Sequence, residues 1–159
     1  MDKNLINMKK YHYIALIFVG IFWFYIASIF DGAICSINSK DLHIKGDTWL
    51  PHMLCSVFTS LIIGLLFYKP ICNWTKWKWF LLPILTLASS TIIFAILLNI
   101  SWKIEHLFKP YYEDIELADI IGTPLVFLFY SLTQFFIIFY PLALLTQYLV
   151  RYAFKKSVN

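Results

Sequence analysis

Four long apolar runs in this chain carry no Asp, Glu, Lys or Arg: Tyr11 to Phe30, Leu50 to Tyr68, Phe80 to Ile100 and Thr123 to Val150. Each holds about 20 residues or more, enough for a helix rising 1.5 Å per residue to cross a hydrocarbon core about 30 Å thick. Few other architectures accept four such runs. The sequence therefore predicts an all-α membrane protein with four transmembrane helices.

Little chain remains for anything else. Of 159 residues 60% are apolar, and the mean hydropathy is +0.72. Outside the runs lie a tail of roughly ten residues at each end and three short connections, none long enough to bury a core alone. The expected organisation is one transmembrane domain over residues 1–159. The basic stretch Met1 to Lys10 precedes a run too long and too aromatic for a signal-peptide core, and no small-residue cleavage pattern follows it. Tyr11 to Phe30 is thus read as a retained first helix.

The charges between the runs are sorted by sign. Lys3, Lys9, Lys10, Lys69, Lys76, Lys78, Arg151, Lys155 and Lys156 fall in the two tails and the middle connection, with Asp2 the one acid among them. The first and third connections hold Lys40, Lys45, Lys103 and Lys109 against Asp31, Asp41, Asp47, Glu105, Glu113, Asp114, Glu116 and Asp119. One side is net +8 and the other net −4, which together give the chain's +4. The positive-inside bias then places both termini and the middle connection in the cytoplasm, with a bacterial inner membrane the expected location. Anionic lipid headgroups, and not nucleic acid, are the partners such a basic face implies.

Aromatic residues follow the same layout. Trp49 and Trp102 lie at the outer ends of the second and third helices, and Trp74, Trp77 and Trp79 near the cytoplasmic ends, at the level of the headgroups. In the middle connection Lys69, Trp74, Lys76, Trp77 and Lys78 mix basic and aromatic character. With Arg151, Lys155 and Lys156 they are candidates for lipid anchoring or for docking a soluble protein. Two glycosylation sequons, at Asn73 and Asn99, sit on the cytoplasmic side and at a helix end, and are read as coincidence.

Within the second run Ser56, Ser60 and Gly64 recur every four residues. Small residues on one face let membrane helices approach backbone to backbone, so this stripe is the candidate packing face, within the subunit or between copies. The third run carries Ser89, Ser90 and Thr91 at mid-depth, readable as back-bonded hydroxyls or as the lining of an interhelical cavity. The fourth run is expected as one long, tilted helix kinked at Pro141, with Gln134 and Gln147 as its deep amides. Before it, Pro110 to Ala118 reads as a short amphipathic helix on the outer surface, where Glu113, Asp114, Glu116 and Asp119 are candidates for sensing an external event.

Catalytic and metal chemistry find no pattern here. The spacings of His12, His43, His52 and His106, and of Cys35, Cys55 and Cys72, match no metal site, although a Cys35–Cys55 bridge is geometrically conceivable. No ionisable side chain falls at mid-depth, where pumps and proton relays need one, and the halves show no inverted repeat. A non-enzymatic protein without cofactors is expected.

The composition, rich in Phe, Ile, Leu, Tyr and Lys, looks like that of bacterial mobile and defence islands. Paired hairpins with both tails inside, closed by Tyr148 to Lys156, resemble the four-helix immunity proteins that protect against pore-forming colicins. The layout is equally similar to the four-span membrane subunit of the Kiwa anti-phage system. That second resemblance implies a membrane oligomer that binds a soluble DNA-binding protein on its cytoplasmic side. Either likeness is one of topology over the whole chain, with no residue motif to transfer. The expected function is a membrane subunit of an anti-phage complex that self-associates and docks a soluble partner. The alternatives are a bacteriocin immunity protein and a holin-like pore.

Overall fold

The computed structural model describes residues 10–38, 49–73, 78–108 and 117–156, and among them there is no strand. The helices in chain order are α1 (Lys10–Asn38), α2 (Trp49–Leu66), α3 (Tyr68–Cys72), α4 (Lys78–Phe108), α5 (Leu117–Leu132) and α6 (Phe136–Lys156). Four are long and apolar enough to cross a membrane, over Tyr11–Ile29, Trp49–Leu66, Phe80–Ile104 and Phe136–Phe154. Their outward faces carry Phe18, Tyr25, Ile29, Phe58, Phe80 and Ile137, all exposed. Water would reject such a surface and a bilayer accepts it.

The most extensive pairing is between α1 and α2, and small residues make it. Gly20 has no side chain to hold the helices apart: a Cβ there would stand 2.5 Å from Val57 Cα. At Gly64 a Cβ would stand 2.3 Å from Leu16 Cδ1. The approach brings serine hydroxyls onto the opposite backbone. Ser56 Oγ donates to the Gly20 carbonyl at 2.8 Å and Ser60 Oγ to the Leu16 carbonyl at 2.6 Å.

Helix ends depart from the expected limits. α1 runs on to Asn38 and α4 to Phe108, past the first charged residue after each apolar run, since a charge ends the run without interrupting the helical ladder. Cys35 therefore lies in α1 and not in a connection. Cys55 is buried in α2, and the side chain of Cys35, its conceivable partner, lies outside those described. The expected outer amphipathic helix falls on residues outside those described up to Glu116, and α5 begins directly at Leu117.

The fourth run is not one kinked helix. It breaks over Thr133, Gln134 and Phe135, upstream of Pro141, which sits inside α6. Pro141 lacks the N–H that would bond the Ile137 carbonyl, and its ring presses on that carbonyl, so the first turn of α6 is the weak point. Just before it, the Thr133 hydroxyl takes the Phe129 carbonyl at 2.6 Å, and Phe135 N–H reaches Tyr130 in a widened turn at 3.1 Å. The break redirects the chain. α5 lies along α4, while α6 also packs against α1 and α3.

Candidate functional site

Chemistry-bearing side chains gather at two levels. The first is the end where α1 starts, α3 lies and α6 finishes. His12 is 1% exposed, with its ring 4.5 Å from that of Phe154 and 5.8 Å from that of Tyr68. Phe154 and Tyr68 close the triangle at 5.2 Å. Beneath this knot Leu16, Ile71, Leu82, Val150 and Phe154 form a contiguous buried cluster drawn from α1, α3, α4 and α6. Lys69 on α3 is exposed beside it, and Arg151 on α6 is half-buried. Lys78 opens α4, and Lys155 and Lys156 close α6. At this basic end the five-residue helix α3 packs against α6 and joins the buried cluster.

The second level is a polar seam deeper in the bundle. The Gln147 amide on α6 donates to the Leu82 carbonyl at 3.2 Å and to the Thr86 hydroxyl, which in turn donates to the Pro83 carbonyl at 3.1 Å. Farther along α4, Ser90 and Thr91 both donate to the Leu87 carbonyl, at 2.9 and 2.8 Å. Thr91 also meets Ser131 of α5 at 3.4 Å. These hydroxyls are occupied by their own backbone or by a neighbouring helix, as polar groups in hydrocarbon must be. Ser90 and Thr91 are thus back-bonded hydroxyls, and Thr91 also meets α5.

The sequence candidates separate accordingly. Ser56, Ser60 and Gly64 are engaged with α1 inside the subunit. Lys69, Lys78, Arg151, Lys155 and Lys156 share the basic end, whereas Trp74, Lys76 and Trp77 lie outside the described residues. Glu113, Asp114 and Glu116 also lie outside them, and Asp119 stands in the first turn of α5. Asn99 is 1% exposed, so its sequon cannot carry a glycan. At the end of the bundle opposite the knot His52 is buried edge-on to Trp102, with centroids 5.9 Å apart. Among the described residues no group of three His, Cys, Asp or Glu side chains could hold a metal ion.

Sequence reasoning missed the role of His12 and Thr86, whereas Gly20 was legible as one of the few positions in the first run that permit close approach. His12 reads as a boundary residue until α6 returns Phe154 to it. Thr86 has no signal except its distance from Gln147, which only folding removes. No protein-family model, curated protein or solved structure matches this chain.

Proposed function

We propose that this protein is a non-enzymatic inner-membrane subunit of a bacterial anti-phage complex, self-associating in the bilayer and holding a soluble cytoplasmic partner against its basic end. The observation that supports this reading is the contiguous core Leu16–Ile71–Leu82–Val150–Phe154, drawn from the same α3 and α6 that carry Lys69 and Arg151. A docking platform needs its charges on rigid elements, since ordering a flexible arm costs binding energy. Here four helices are locked together at the end that carries Lys69 and Arg151. The charge asymmetry of the sequence points the same way, since a face of net positive charge recruits an acidic protein surface and a headgroup layer together.

The test is co-purification of the full chain from its own membranes with the soluble protein encoded beside it. Changing Lys76, Lys78, Lys155 and Lys156 to Glu abolishes recruitment on this reading, and rising salt weakens it in the unaltered protein. Labelling at Cys72 must first show that the reversed protein keeps its orientation, because lost positive charge can invert a membrane hairpin. Full-yield recovery of the partner with all four bases reversed refutes the docking role.

A second reading, inhibition of a pore-forming toxin inside the bilayer, is favoured by one observation: the exposed Gln134 amide beside the helix break. It predicts protection that follows substitutions within the helices and ignores the basic end.

A further inference from the structure

Only two Lys or Arg residues, and no Asp or Glu, fall inside the four spans, and the two sit differently. Lys103 is one residue from the end of its span and exposed, so its ammonium reaches water directly. Arg151 is three residues, or about 4.5 Å, short of the end of the α6 span, and it is half-buried. A cationic guanidinium at that level is costly unless it reaches the headgroups and an anion meets it.

The chain offers little negative charge on this side. No Asp or Glu occurs from Thr123 to Asn159 or from Lys69 to Lys78, and the amino-terminal tail holds only Asp2. A second cation stands near Arg151 instead. Lys69 is exposed on α3, which packs against α6. The Tyr68 and Phe154 rings meet at 5.2 Å; Lys69 adjoins the first residue, and Arg151 lies three residues, nearly one helical turn, before the second. Two long side chains from facing elements can thus bring a guanidinium and an ammonium to one anion.

The surface beside Arg151 selects the anion. Leu145, Tyr148, Leu149 and Tyr152 are all exposed, and their spacing makes one stripe along α6. Its leucines lie farther into the span, where acyl chains run, and its tyrosines suit the headgroup level. An apolar wall ending in hydroxyls and two cations fits a phospholipid better than a free ion. Zwitterionic lipids offset their phosphate with their own ammonium, whereas an anionic headgroup leaves a net charge for the two cations to meet. The planar guanidinium takes phosphate oxygens in a fork, and the ammonium adds a point charge. We infer that α3 and α6 hold one anionic phospholipid, its phosphate on Arg151 and Lys69 and an acyl chain along Leu145 and Leu149. The site stands without the docking role, because it uses none of the four lysines whose reversal tests that role.

Native mass spectrometry of the full chain, released from micelles with equal phosphatidylglycerol and phosphatidylcholine, tests the site. One phosphatidylglycerol per chain should survive. Arg151→Gln should weaken its binding about tenfold or more, the loss expected of charge-assisted hydrogen bonds, and Lys69→Gln should weaken it less. Arg151→Lys should fall between the parent and Arg151→Gln, since it keeps the charge and loses the fork. Lys103→Gln, toward the other end of α4, should leave retention unchanged. Phosphatidylglycerol should also raise the melting temperature of the parent but not of R151Q, while the two melt alike in phosphatidylcholine alone. Should R151Q not fold, R151K and K69Q carry the same comparison. Equal retention of the two lipids overturns the site, as does phosphatidylglycerol that survives substitution of both Arg151 and Lys69. Displacement of the lipid by millimolar inorganic phosphate would make the site one for a free anion and overturn the lipid assignment. If R151Q keeps the lipid and loses a soluble acidic protein instead, the side chain serves docking and the lipid site fails.

Discussion

Replacing Gly20 with Ala probes the contact on which the α1–α2 hairpin depends. The new Cβ would lie 2.5 Å from Val57 Cα and 3.0 Å from both Ser56 O and Val57 N. Those are backbone atoms of α2, so no rotamer change relieves the clash. Restoring an ordinary carbon–carbon separation of about 3.5 Å requires the helices to part by roughly 1 Å. That movement stretches the Ser56–Gly20 and Ser60–Leu16 bonds, now 2.8 and 2.6 Å, beyond or to the edge of hydrogen-bond range. Overpacking costs about 1–3 kcal/mol and each interhelical bond in a membrane about 0.6 kcal/mol, for a total of about 2–4 kcal/mol. Gly64→Ala meets only the Leu16 side chain, at 2.3 Å, and should cost less.

The assay is reversible unfolding in mixed micelles, run as a cycle over Gly20→Ala, Ser56→Ala and the double variant. Ser56→Ala alone should cost about 0.6 kcal/mol, the mean for such bonds. Added to Gly20→Ala it should cost almost nothing, because that bond is already broken. A Gly20→Ala protein within about 0.5 kcal/mol of the parent would refute close backbone packing here. So would strict additivity of the two changes.

Other expectations are more direct. A membrane-impermeant maleimide applied to intact cells should label Cys35 and spare Cys72; labelling of Cys72 without permeabilisation overturns the charge-based orientation. Phe154→Ala removes the residue that covers His12 and completes the core at the basic end, and should cost about 3–5 kcal/mol in the same unfolding assay. A cost below about 1 kcal/mol would mean that α6 does not hold that end together.

The four runs were legible because a bilayer imposes a length rule that few other environments impose. Ser56, Ser60 and Gly64 were legible as a face by their spacing, but their partner was not. The acceptors on α1 are the Leu16 and Gly20 carbonyls, and a backbone acceptor leaves no mark in a sequence. Pro141 signalled a weakened ladder without locating the break, since that depends on where α6 must go. Gln147 toward Thr86 and Phe154 toward His12 set its course, and both contacts span more than sixty residues of chain.

Those long-range contacts also explain why the fourth run is interrupted. A continuous fourth helix would follow α4, as α5 does, and could not also bring Phe154 to α1 and α3. The interruption allows α6 to lock the basic end, and it leaves Thr133 and Gln134 exposed.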